Sequence, residues 1–128
     1  MTLVSLLPLD GVARGALARG HDDLYRCALG LIDEAMSAPP PDVVRWLAAE
    51  PRLTGDRRID ATFAAVAEHV AFHRDLDCPL WVEQPDRFLD RSWFPVDLPS
   101  VRVRAFVSSP ASFARRLIFI DRSDLSRV

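Results

Sequence analysis

Residues 56 to 76 constrain the fold more than any other stretch. Asp56 stands before a run in which Ile59, Phe63, Val66 and Val70 recur on one narrow stripe at helical spacing. Ala61, Ala65, Phe72 and Leu76 make a second apolar arc on the same helix. A helix apolar over so much of its circumference must be packed from two directions. The spacing therefore predicts a mainly α-helical, single compact multi-helix domain built around a central helix of about residues 56–76. The side carrying Asp60, Ala64, Glu68 and Ala71 reads as its water-facing edge.

Other helices follow from similar signals. Leu24, Cys27, Ala28, Leu31, Ile32 and Ala35 form an apolar stripe, with acidic residues Asp22 and Asp23 in the first turn where the helix dipole favours them. Ser37 and Pro39-Pro40-Pro41 end that helix, and Asp42 or the proline run itself starts another carrying Val43, Trp46 and Leu47, which stops at Glu50-Pro51. Thr54-Gly55-Asp56 reads as a turn that caps the central helix. Pro99 opens a helix with Val101, Ala105 and Phe106 expected inward; alternation over Val101–Arg104 leaves a strand as the competing reading. Ser109-Pro110 starts a short turn through Ala114, residues 117–120 read as a short extended or buried run, and Ser123 caps a last turn. Residues 1–20 hold Gly11, Gly15 and Gly20 and read as a flexible or docking N-terminal arm, with Asp10 able to cap a short helix and the helical domain beginning at residue 21.

Between the central helix and Pro99 lies an aromatic segment, Trp81 to Phe94, holding two of the three tryptophans with Asp and Arg interspersed. Such rings bury large area at low entropy cost, so the segment is expected to lie on the helices before it. Trp93 should be buried against the central helix while Arg87 and Asp90 stay near the surface.

The charge balance of 16 basic and 18 acidic residues gives a net charge of −2 and no general attraction for nucleic acid or anionic membrane. All the basic residues are arginine. Arg57-Arg58, Arg102 with Arg104, and Arg115-Arg116 leave a nucleic-acid-binding transcriptional regulator as an alternative, but acidic residues are interspersed among them. No apolar run approaches membrane-spanning length and no cationic segment precedes the N-terminal apolar patch, so a cytoplasmic protein is expected. Cys27 and Cys78 are single and widely spaced, which suits buried thiols in a reducing compartment.

His69 and His73, four residues apart, face one side of the central helix; Cys78 or Asp77 could add a third metal ligand. That single pair lacks the second cluster of a zinc motif, and core or boundary histidines are the preferred reading. A metal-dependent enzyme using His69 and His73 stays as a second alternative. No phosphate loop or nucleophile motif occurs, so no enzyme, cofactor or metal is assigned.

Several blocks resemble a recurring actinobacterial pattern: Pro51-Arg52-Leu53-Thr54-Gly55-Asp56-Arg57-Arg58-Ile59-Asp60 with Ala67-Glu68-His69; Arg87-Phe88-Leu89-Asp90 with Trp93-Phe94-Pro95; and Ser109-Pro110-Ala111-Ser112-Phe113-Ala114-Arg115-Arg116 leading to Ile118-Phe119-Ile120-Asp121. Together they cover roughly residues 43 to 128. They resemble small proteins, and C-terminal parts of some repressor-like regulators, that accompany nucleotidyltransferase-type toxins. The resemblance implies an antitoxin-like role: a protein that neutralises a cognate toxin enzyme by direct contact. The pattern often carries glycine where this chain has Leu117. A toxin that handles nucleotides or tRNA presents a basic cleft, so partner-binding candidates are Asp86, Asp90 and Asp97 with Phe88, joined by Arg87, Arg115 and Arg116.

Overall fold

The computed structural model describes residues 6–126. Six α-helices follow in order: α1 (Leu9–Arg19), α2 (Leu24–Ser37), α3 (Pro40–Ala48), α4 (Arg57–His73), α5 (Pro99–Ser108) and α6 (Ala111–Ala114). Short 3-10 turns occupy His21–Asp23, Leu80–Glu83, Pro85–Arg87 and Arg122–Ser126. The fold is mainly α, and among the described residues the only β-type pairing is one parallel bridge.

α4 is the axis. Asp56 caps it by accepting from the Ile59 amide at 3.2 Å, and Gly55 takes the left-handed φ of 89° that lets the preceding turn close. α1, α2, α6 and the turns at Leu80–Glu83 and Pro85–Arg87 all pack on α4. The edge expected to face water is covered as well: Asp60, Ala64 and Ala71 are buried. The reason is the run of small residues Ala61, Ala64, Ala65, Ala67 and Ala71, which lets neighbours approach closely. Asp60 is tolerated inside because its carboxylate accepts from the Thr54 amide at 2.9 Å and the Thr54 hydroxyl at 2.8 Å.

The N-terminal segment is no free arm where it is described; Met1–Ser5 lie outside the described residues. Leu9, Ala13 and Ala16 of α1 are buried. Asp10 does not cap the helix but grips Arg52, with its carboxylate accepting from Nη2 at 2.9 Å, Nε at 3.1 Å and the backbone amide at 2.8 Å. These bonds hold the Asp10 carboxyl down at about 2. The Trp46 indole donates to Leu7 O at 2.9 Å, and Arg14 donates to Leu53 O at 3.0 Å. The glycines weaken α1 intrinsically, but Gly11 and Gly15 lie off its buried line, so tertiary packing decides.

The aromatic segment does lie on the helices, yet through Trp81 and not Trp93. Trp81 is buried and its indole donates to Leu47 O at 2.8 Å, joining the segment to α3. Trp93 is half-buried, with Arg58 over its ring at 5.0 Å and His21 at 5.9 Å. The exposed residues Asp90, Arg91 and Ser92 hold the chain at the surface just before it. Its backbone is used instead: the Trp93 amide donates to Leu117 O at 2.8 Å, and Trp93 O accepts from the Phe119 amide at 3.0 Å. Of the run expected at 117–120, Ile118 makes this bridge and residues 118–120 are buried, while Leu117 sits in the turn before them.

α5 forms as a helix, opened by Pro99. Ala105 faces inward as expected. Phe106 does not: it is 64% exposed, with its ring 5.2 Å from that of Phe119.

Candidate functional site

Three surfaces gather the chain's polar and aromatic residues. The first is a seam between α6, α4 and the Leu80–Arg87 turns, built on two arginines that sequence placed in an interface. Arg116 is fully buried. It donates to Glu68 Oε1 at 2.8 Å, to Ser112 O at 2.8 Å and to Val82 O at 2.7 Å. Arg87 is 1% exposed, correcting the expectation that it sits at the surface. It donates to Pro51 O at 2.6 Å and Gln84 Oε1 at 3.3 Å, and lies under Trp81 at 4.9 Å. Burial lowers the pKa of both guanidinium groups. Both are struts that satisfy loop carbonyls, a task suited to a planar five-donor group. Alternating Asp and Arg in the sequence resembles a solvated edge, and nothing in it distinguishes a strut from a surface cation. Neither arginine can meet a partner directly.

Arg115 is exposed and chelates two acids, donating to Glu68 Oε1 at 2.7 Å and to both Glu83 oxygens at 2.9 and 2.7 Å. The Glu83 partnership raises the Arg115 pKa and lowers that of Glu83. Phe88 is half-buried, with Arg116 at 4.6 Å and Arg115 at 5.1 Å from its ring. Asp86 is exposed and pairs loosely with Arg57 at 3.4 Å; Asp90 is exposed; Asp97 is exposed and accepts from Arg102 at 2.7 Å.

The second surface is a groove of about 680 Å³ beside α4 and α6. His69, His73 and Cys78 all line it. The two imidazoles sit 4.2 Å apart, and His69 meets Phe113 edge-on at 6.1 Å. Burial first, then His73 and Arg122, push His69 down to about 4, so it is neutral at pH 7. Cys78 is exposed rather than buried, because Asp77-Cys78-Pro79 follows the end of α4; partial burial and the neighbouring Glu68 and Glu83 raise its thiol pKa. Cys27 is half-buried, with burial raising its pKa too. Among the described residues no three His, Cys, Asp or Glu side chains converge where they could hold a metal ion.

The third surface is α5 itself. Val103, Phe106 and Val107 are 68%, 64% and 78% exposed, and Leu98 just before the helix is also exposed. Positions i, i+3 and i+4 share a face, so these three form an apolar stripe opposite Ala105. Arg102 and Arg104 flank it and are held by Asp97 and by Asp121 at 3.5 Å. The spacing 103/106/107 was present in the sequence, in competition with 101/105/106. A helix with two apolar edges can show water either one.

No family model matches the chain, and neither does any curated protein or solved structure. Among the described residues no helix is long and apolar enough to cross a membrane.

Proposed function

We propose that this chain is a non-enzymatic protein-binding module, an antitoxin-like partner that neutralises a nucleotidyltransferase-type toxin by direct contact. The observation that carries the binding reading is the bare face of α5. Val103, Phe106 and Val107 present contiguous apolar side chains to water on a helix that buries only Ala105. Exposed apolar stripes rimmed by charge are characteristic of docking surfaces, and an amphipathic helix seated in a partner's groove is a common recognition mode. Asp97 lies at the start of this face, paired with Arg102 at 2.7 Å, and would have to exchange that partner to meet a basic cleft. The toxin class rests on the sequence blocks between residues 43 and 128.

The arginine clusters give a nucleic-acid reading little support. Arg57, Arg102, Arg104 and Arg115 are each matched by a carboxylate, and Arg116 is buried. Phosphate binding would have to displace those partners.

The test is co-expression with the product of the adjacent gene. If that product is a nucleotidyltransferase, the two chains should co-purify and growth should recover. Phe106→Asp and Val103→Asp should abolish both effects while leaving the melting temperature nearly unchanged, since exposed substitutions usually shift stability by about 0.5 kcal/mol or less. A toxin that stays active and unbound beside the wild-type chain overturns the proposal.

A further inference from the structure

The groove beside α4 holds three features that the binding reading of α5 does not use. Its volume of about 680 Å³ lies within the range of small-molecule sites, and Met36, Phe72, Leu76 and Leu125 give it an apolar lining. Ser112 also lines it; that side chain is 6% exposed, and its hydroxyl has no hydrogen-bond partner among the described residues. A buried hydroxyl left without a partner is costly, so the groove wall is not fully satisfied in the free protein.

The charges decide the ligand's sign. Glu68 and Glu83 are negative, but Arg115 bonds to both and Arg116 bonds to Glu68, so this cluster of two acids and two arginines is neutral. Arg122 remains. It lines the same groove, its Nε donates only to Ser108 O at 3.1 Å, and among the described residues it has no carboxylate partner. Its charge also reaches His69, helping to keep that imidazole neutral. Among the described residues the groove therefore offers an apolar body, a cation without a carboxylate partner in Arg122, and hydrogen-bonding side chains that include Ser112 and His69.

We propose that the groove is a binding site for a small amphipathic carboxylate, its apolar part against Met36, Phe72 and Leu76 and its anionic group at Arg122. Such a carboxylate can be an aliphatic or an aromatic acid, and the two are separable by experiment. Because the exposed apolar face of α5 plays no part, this site stands whether or not the chain binds a toxin.

Calorimetric titration of the full chain at neutral pH tests it, with decanoate and 2-naphthoate as the two acids and decanol as the neutral control. At least one acid should bind saturably, one molecule per chain, and decanol should bind at least about tenfold more weakly than decanoate if the aliphatic acid is the ligand. Arg122→Gln should reduce the acid's affinity about tenfold or more with the melting temperature held. Met36→Trp, at a partly open wall of the groove, should block binding by filling it. The proposal is overturned if neither acid binds saturably, if decanol matches a binding decanoate, or if Arg122→Gln binds the acid as the wild type does.

Discussion

Arg116 donates to Glu68 at 2.8 Å while keeping no exposed surface of its own, and its neighbour Arg115 reaches the same Glu68 oxygen from solvent. Two adjacent arginines thus share one acid from opposite sides of the boundary, and physics assigns them unequal weight. The outer pair is screened and flexible, while the inner cation also satisfies the carbonyls of Ser112 and Val82.

Arg116→Ala should therefore cost about 3–5 kcal/mol, the usual result of breaking a buried pair and leaving loop carbonyls without donors. Arg115→Gln should cost about 1 kcal/mol or less. Urea unfolding of the two variants measures the difference. Equal losses would mean that the seam depends on total charge and not on the buried strut.

Trp81 and Trp93 offer a second contrast. Trp81→Ala should destabilise by about 3–5 kcal/mol, since it empties a core position and removes the donor to Leu47 O. Trp93→Ala should cost about 1–2 kcal/mol, because its ring is half open and its backbone bonds to Leu117 and Phe119 survive the substitution. The same unfolding curves decide it; a larger loss at Trp93 would restore that residue as the anchor of the aromatic segment.

These contrasts mark where the sequence was readable. The central helix, its Asp56 cap and the proline-opened helices α3 and α5 follow from periodicity and local backbone chemistry, and all of them form. The burial of Arg87 and Arg116 was not legible, because a buried arginine depends on which distant carbonyls the fold brings to it: Pro51 in one case, Val82 in the other. α1 was partly legible for a related reason: a short helix beginning at Asp10 follows from the sequence, but its packing on α4 does not. Its two glycines, Gly11 and Gly15, signal weakness locally, while its support comes from Arg52 and Trp46, far along the chain. The groove was half legible: His69, His73 and Cys78 were singled out together, but Ser112 and Arg122 come to it only when α6 and the last turn fold back onto α4.

His69 should make stability depend on pH. Its folded pKa of about 4 lies below the ordinary 6.5, so between those values the unfolded chain holds a proton that the folded chain refuses. The neutral-His69 contribution is fully present above about pH 6.5 and is lost as pH falls toward 4. Its size is about 2 kcal/mol, less than the full shift implies, because the ring edge is open to the groove. Chemical denaturation at a series of pH values should show this slope, and His69→Gln should flatten it in the upper part of that window, above the range of most carboxylates. An unchanged slope in His69→Gln assigns the effect to other groups.

Leu117 is strained where glycine would not be. Its φ is 65°, in the left-handed region. It follows α6 in a Schellman arrangement: the Ile118 amide donates to Phe113 O at 3.0 Å and the Leu117 amide to Ala114 O at 2.9 Å. That motif favours glycine at the left-handed position, which costs a residue with a Cβ about 1–2 kcal/mol. Leu117 is half-buried, so replacing it also forfeits some apolar contact. The two effects oppose, and Leu117→Gly should leave stability within about 1 kcal/mol of wild type. Leu117→Val keeps apolar bulk but branches at Cβ, which the left-handed region tolerates least, and it should cost about 2 kcal/mol. Thermal unfolding of both variants separates backbone from packing. If glycine proves the more damaging, side-chain packing governs this position, and the turn that carries residues 118–120 into their pairing with Trp93 tolerates its strain for that contact.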